Sequence, residues 1–305
     1  MASSGILLLD KPQGLTSHDV VARTRRAAGT RKVGHAGTLD PMATGLLILG
    51  IESSTRLLTY VVGVDKEYTA TIRLGSSTTT DDAEGEELGR ARADLVDAVT
   101  EEAIRRVMGI LTGDIEQVPS AVSAIKVDGK RAYARVRAGE DVQLAARPVT
   151  VSSFELLGLR PVDGYLDLDV RVECSSGTYI RALARDLGMG LGIGGHLTAL
   201  RRTRVGPFRV EDAHALEGLD VPAALLGPAD AAARLFPVFR LTAEQTVDLG
   251  HGKRIEADDD RPAGPHAAIS PDGRLIGLVE FHGRNGRTVV NFPPDAPADG
   301  PGAAS

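Results

Sequence analysis

Gly34-His35-Ala36-Gly37-Thr38-Leu39-Asp40-Pro41-Met42-Ala43-Thr44-Gly45 holds one acid, one imidazole, two hydroxyls and three glycines, then runs into the apolar segment Leu46–Leu49. Pro41 biases Asp40 away from the right-handed helical region. A carboxylate in a glycine-flanked loop ahead of a buried strand is placed to face a pocket. Asp-Pro and glycine are also ordinary turn chemistry. That reading would suffice for Asp40 alone, but the whole string carries more chemistry than a turn needs.

Upstream, Gly5–Asp10 reads as a buried strand closed by Lys11-Pro12-Gln13-Gly14. Thr16 or Ser17 caps a helix through Ala28, ended by Gly29. Downstream, Ser53 or Ser54 caps a second helix through Val62, and Lys66–Leu74 alternates as a strand. Residues 75–93 form a polar, acidic stretch that reads as solvated surface. It contains Asp81, Asp82, Glu84, Glu86 and Glu87 without the spacing of a calcium loop. Thr100 caps a helix to Leu111, and Asp128-Gly129 turns Ser123–Val127 back into a basic stretch. Thr150–Leu159 and Tyr165–Cys174 pair around Asp163-Gly164, Thr178–Leu187 is helical, and Arg201–Arg209 is a strand.

The composition then shifts. Residues 211–234 are rich in Ala and Leu and read as a connecting helical region. Short strands and an Asp272-Gly273 hairpin follow, and the tail is Pro, Ala, Gly and Asp. The expected organisation is a main domain over 1–210, a connector over 211–234, a small β module over 235–292 and a disordered tail over 293–305. The class is α+β, with a mixed, largely antiparallel sheet flanked by helices.

At 305 residues the chain suits one large or two ordinary domains, by the prior of roughly 100–200 residues each. Its single cysteine, Cys174, excludes an internal disulfide. With no secretory leader recognisable, the expected location is the cytoplasm. No segment approaches the ~20 apolar residues of a membrane span, and no Cys/His cluster suggests a zinc site; no metal is expected. The net charge of −6 is unevenly spread. Residues 1–56 carry 7 basic and 4 acidic side chains, a net of +3, whereas 57–120 carry 6 and 13, a net of −7. Residues 121–148 and 149–209 are net +3 and +2, and 210–305 net −7. Local basic patches set attraction to phosphate, so the acidic total leaves RNA binding open and argues only against indiscriminate binding.

Two familiar signatures fail on context. Gly190-Leu191-Gly192-Ile193-Gly194-Gly195 matches a dinucleotide fingerprint in form, but that motif follows a strand and opens a helix. Here a helical pattern precedes it, so a flexible loop is the better account. Ser17, His18 and Asp40 would need a Gly-x-Ser-x-Gly elbow to suggest a hydrolase, and none is present. A second chemistry-bearing string is Cys174-Ser175-Ser176-Gly177-Thr178-Tyr179-Ile180-Arg181, a strand end turning into a helix with Tyr179 and Arg181 at its start. Read singly, it is a capped helix with a core aromatic. Tyr68 is likewise a strand residue, His35 a turn residue, and Arg201, Arg202 and Arg204 a solvated face or a phosphate contact.

Together, however, these strings resemble the TruB family of tRNA pseudouridine synthases. The resemblance runs through Leu7–Gly14, the string around Asp40, Lys66-Glu67-Tyr68, Gly113–Ser120, Ser123–Lys126, Gly177–Arg181 and Leu200-Arg201-Arg202. The final module looks like the small PUA-type RNA-binding domain that often ends such proteins. The resemblance implies a pseudouridine synthase fold and isomerisation of uridine to pseudouridine in the T loop of tRNA, at position 55. It implies no cofactor, the tRNA T arm as partner, and no obligate protein partner. It makes Asp40 the catalytic aspartate, as nucleophile or as base. It makes Arg181 the guanidinium that pairs with Asp40, Tyr68 the ring that stacks on the base, and Tyr179 and Leu200 pocket residues. His35 matches a residue that fills the space left by flipped nucleotides. Arg56, standing where relatives often have lysine, joins Arg201 and Arg202 as candidate contacts to the RNA backbone. A non-catalytic tRNA-binding protein on the same scaffold is the alternative.

Overall fold

The opening apolar run forms strand β1, Gly5–Lys11, buried throughout except at Asp10. These elements come from a computed structural model that describes residues 3–120 and 144–293, with the backbone alone at 126–127 and 130–131. Residues 121–125, the expected Asp128-Gly129 turn and the tail beyond Pro293 lie outside the described residues.

Thr16 caps helix α1, Ser17–Ala28, through a capping box with Asp19, and Gly29 closes it at φ 64°. That left-handed conformation costs a glycine little. Strands β2, Val33–Ala36, and β3, Thr44–Ile51, flank the loop that carries Asp40. The helix expected from Ser53 or Ser54 begins differently. Glu52–Leu57 is a 3-10 turn without a side-chain cap, and α2 follows over Leu58–Gly63. The Ser53 N–H and hydroxyl both donate to Ser4 Oγ, at 3.2 and 2.9 Å, so that side chain is committed to the residue just before β1.

Strand β4, Lys66–Leu74, alternates buried and half-buried along its whole length. The acidic stretch after it is not solvated loop throughout. Strands β5, Ser76–Thr78, and β6, Glu87–Arg90, pair antiparallel, and Ser76, Thr78 and Asp82 are buried. Helices α3, Ala93–Asp97, and α4, Glu101–Ile110, follow, then β7, Gly113–Gln117, and the short pair β8, Lys126–Val127, and β9, Lys130–Arg131. Strands β10, Arg147–Val162, and β11, Tyr165–Cys174, form a hairpin. Its turn residues Asp163 and Gly164 sit at φ 49° and 78°, as a two-residue turn of matching twist requires. Helix α5 spans Ile180–Gly190, and β12 spans Gly195–Val205. The 190–195 glycines therefore link a helix to a strand, the reverse of the order in a dinucleotide fold. A Cβ at Gly188 would lie 2.1 Å from the Gly195 nitrogen, which fixes glycine at that close approach.

The connector also contributes to the sheet. After β13, Phe208–Arg209, the short strands β14, His214–Ala215, and β15, Leu225–Leu226, both pair with β1. They stand beside helices α6, Val221–Ala224, and α7, Pro228–Leu235. The C-terminal elements are β16, Val238–Arg240; α8, Ala243–Gly250; β17, Ile255–Glu256; β18, Pro265–Ile269; β19, Leu275–His282; and β20, Asn285–Asn291.

The chain divides into two units, one of residues 1–41, 45–62 and 206–305, the other of 42–44 and 63–205. In the first, β1 pairs antiparallel with β3, and β2 continues on β3. Leu7, Leu9, Val20, Leu47, Leu49 and Val221 make its core. The same unit holds a separate five-stranded sheet, β16-β18-β19-β20-β17, around Phe239, Leu249, Val279 and Phe281. In the second unit, β12-β4-β11-β10-β7 run antiparallel in that order, and α5 packs on β12.

Candidate active site

In the first unit the loop around Asp40 is tied down on both sides of the acid. Gly37 turns the chain out of β2 at φ 74°. The fully buried Ser17 then accepts the Leu39 N–H at 2.9 Å and donates to the Leu39 carbonyl at 3.1 Å. On the other side, the Pro41 carbonyl accepts the Gly14 N–H at 2.8 Å and the Lys11 ammonium at 3.3 Å. Lys11 is fully buried, and its ammonium also donates to Pro12 and Leu15 carbonyls at 2.9 and 2.7 Å. A buried cation needs such partners. Asp40 itself is partly exposed, between these two anchored residues. His35 lies on β2, edge-to-face with the exposed ring of His18 on α1, at 5.5 Å between centroids and 78°.

In the second unit, register places three of the expected residues on one face of the sheet. Tyr68 on β4 stands opposite Arg202 on β12, and Ala70 opposite Leu200, so Tyr68, Leu200 and Arg202 are neighbours. Tyr68 and Leu200 are each 8 % exposed. Thr44 donates to the Leu200 carbonyl at 3.4 Å. Lys66 occupies the same face two residues before Tyr68, opposite Cys174 on β11. Burial, reinforced by Arg202, pushes the Lys66 ammonium down to about 8. Burial pushes the Cys174 thiol up to about 11.

Tyr179 and Arg181 open α5. Gly177 at φ 90° turns the chain out of β11. Buried Gln117 then clamps Tyr179, accepting its N–H at 2.8 Å and donating to its carbonyl at 3.1 Å. Arg181 is buried, donates to the Thr80 carbonyl at 2.8 Å and lies 3.6 Å from the Asp82 carboxylate. Asp82 is held in turn by the Thr80 hydroxyl at 2.5 Å and the Glu84 N–H at 3.1 Å. One turn along α5, Arg185 reaches Asp81 at 3.2 Å and the Val118 carbonyl at 2.7 Å.

Sequence reasoning placed none of Lys11, Ser17, Gln117 or Asp82 in a supporting role. A lysine closing an apolar strand was a legible sign for Lys11. The proposed backbone contacts divide. Arg56 is exposed and donates to the Asn291 carbonyl, and Arg201 is half-buried. Arg202 is 1 % exposed and belongs to the face carrying Tyr68, which withdraws it from a surface phosphate role. Among the described residues, no group of three or more His, Cys, Asp and Glu could hold a metal ion.

The first unit thus presents a carboxylate on an anchored loop, and the second an aromatic ring bordered by leucine and a buried guanidinium. The chain is similar to known proteins along most of its length. The family model described as "TruB family pseudouridylate synthase (N terminal domain)" matches residues 25–180. Models described as "tRNA pseudouridylate synthase B C-terminal domain" and "tRNA Pseudouridine synthase II, C terminal" match 181–233 and 236–293. The "tRNA pseudouridine synthase B" of Leifsonia xyli subsp. xyli (strain CTCB07) is 64 % identical over 297 residues, covering 97 % of this chain and 98 % of that protein. The protein of the same name from Arthrobacter sp. (strain FB24) is 57 % identical over 300 residues, covering 95 % and 97 %. Among solved structures, "Crystal Structure of a Cbf5-Nop10-Gar1 Complex" matches with a TM-score of 0.70 at 26 % identity, over 96 % of this chain and 85 % of that one.

Proposed function

Because the chain belongs to the TruB family of pseudouridine synthases, we propose that its target is the T-loop uridine at tRNA position 55, with Asp40 as the catalytic carboxylate. The fold is that of the pseudouridine synthases, and the activity is the isomerisation of uridine in tRNA to pseudouridine. The glycosidic N1–C1′ bond breaks, the uracil turns, and C1′ rejoins at C5. The C5 proton is lost and N1 gains one, so atoms and electrons balance without a redox cofactor or ATP.

The observation that carries the Asp40 assignment is the double anchorage of its loop, Leu39 by Ser17 and Pro41 by Lys11 and Gly14. Orientation of a reacting group in advance is a large part of catalysis. The target uridine must leave its stack, at a cost of a few kcal/mol. Stacking on Tyr68 returns roughly 1–3 kcal/mol, and Tyr179 and Leu200 complete the base's surroundings. Arg181 serves as the cation for the working carboxylate, His35 fills space vacated by flipped nucleotides, and Arg56 and Arg201 touch the RNA backbone. The five-stranded C-terminal sheet acts as a PUA-like RNA-binding module. This reading places the protein with its tRNA in the cytoplasm; among the described residues no helix is long and apolar enough to cross a membrane.

The test is to map pseudouridine in tRNA incubated with the protein and with Asp40→Asn. The variant is expected to lose pseudouridine formation and to keep tRNA affinity within about threefold, since the change removes one charge and little volume. Full activity in Asp40→Asn would overturn the assignment. A protein that only binds or folds tRNA has no use for an acid at 40.

A further inference from the structure

We propose that the exposed face of α1 and the turn after it form a track for the tRNA phosphate backbone, beginning beside His35 and ending at Arg31. The inference rests on the tRNA reading above and adds a surface which that reading does not use.

Charge is the first argument. Residues 16–32 carry Arg23, Arg25, Arg26, Arg31 and Lys32 against the single acid Asp19, a net of +4 in a chain of net −6. All five basic residues are exposed. Acids reach two of them: Lys32, and Arg23, whose charge acts on Asp19. Lys32 is paired with Glu52 at 3.2 Å, and Asp19 is taken by Thr16 in the capping box. Arg25 donates to the Val33 carbonyl at 2.9 Å. The side chains of Arg26 and Arg31 have no hydrogen-bond or ion-pair partner among the described residues. Cations in the last turn of a helix are favoured by its dipole. That effect covers Arg25 and Arg26, but not Arg23 in the helix interior or Arg31 beyond the cap.

Placement is the second argument. Helix α1 is joined to the catalytic loop at its N-terminal end, where Ser17 binds Leu39 and His18 meets His35 edge-to-face. From His18 to Arg26 the helix rises about 12 Å, at 1.5 Å per residue. The cationic face thus leads away from the place where a flipped nucleotide would be accommodated. Exposed guanidiniums suit phosphate oxygens, which they can grip with two parallel N–H bonds. Contacts of this kind fix register and orientation on the RNA without reading its sequence.

The experiment neutralises the track with Arg23→Gln, Arg26→Gln and Arg31→Gln together. Affinity for tRNA is measured over a salt series in the Asp40→Asn background, so that no turnover occurs. Removing one arginine–phosphate ion pair should flatten the log–log salt dependence by about 0.7–0.9. The triple variant should therefore drop about two units of slope and bind at least tenfold more weakly near physiological salt. With Asp40 intact, its single-turnover rate at saturating tRNA should change by less than the affinity does. The matching Arg→Lys triple should recover most of the affinity, which separates charge from folding. Neutralising Arg92, Arg105 and Arg106, exposed on and beside α3 and α4, makes the same charge change elsewhere. An unchanged slope in the α1 triple, or an equal loss of affinity in this second triple, would overturn the track. If the parent protein binds no tRNA, the tRNA reading falls as well; if it binds and the α1 triple binds equally, only the track falls.

Discussion

Tyr68 shows how one side chain can serve binding and chemistry. Its ring is nearly buried, with Leu200 and Arg202 beside it on the same face and Lys66 two residues away, so a base stacking on it would be largely shielded from water. If stacking is its principal contribution, the ring matters more than the hydroxyl. Tyr68→Leu is expected to lower single-turnover pseudouridine formation by at least about 100-fold, near the upper end of what stacking is worth. Tyr68→Phe should stay within about tenfold of the parent. Equal rates for all three would refute the stacking role. In the sequence, Asp40 could be picked out from its own string, and Tyr68 and Arg181, ordinary strand and helix residues when read singly, only through the family resemblance. The burial of Arg202 could not. Two adjacent arginines read as surface, and only the register of β12 against β4 turns the second inward.

The loop over residues 79–86 makes the corresponding point for elements. Its charge reads as solvation, yet Asp82 is buried against Arg181. The burial depends on partners about a hundred positions away, which no local pattern records. Removing one member of a buried ion pair costs about 3–5 kcal/mol. The Thr80 carbonyl still accepts from Arg181, so Asp82→Ala should cost no more than about 3 kcal/mol by that scale. It should lower the bound-state rate at least about tenfold while tRNA affinity changes less. Asp82→Asn, which can keep the bonds from Thr80 and Glu84, should fall between. Thermal melting and single-turnover kinetics on both variants decide this; a parent-like rate in Asp82→Ala would show that the loop does not position Arg181. By contrast, α1, α4 and β4 follow their sequence patterns closely, because their caps and alternation are local and agree with their burial. The capping serines at 53 and 54 mislead for the opposite reason: Ser4, 49 positions away, claims Ser53.

At the scale of the whole molecule, two separate cores in the first unit, one around Leu7, Leu47 and Val221 and the other around Phe239 and Phe281, make the C-terminal sheet a distinct packing body. Deletion from Leu235 onward should accordingly weaken tRNA affinity by about tenfold or more while slowing the bound-state reaction less. Titration of tRNA and rates at saturation, measured side by side, check this; unchanged affinity would remove the RNA role of that sheet. The single cysteine has a practical consequence on the same scale. Cys174 is 1 % exposed and its thiol is held up to about 11, and the thiolate is the reactive form. Native protein is therefore a silent background for thiol-directed probes. A cysteine introduced at an exposed site such as Met189 would take a fluorophore alone, making the chain ready for single-molecule observation of RNA capture without first rebuilding its interior.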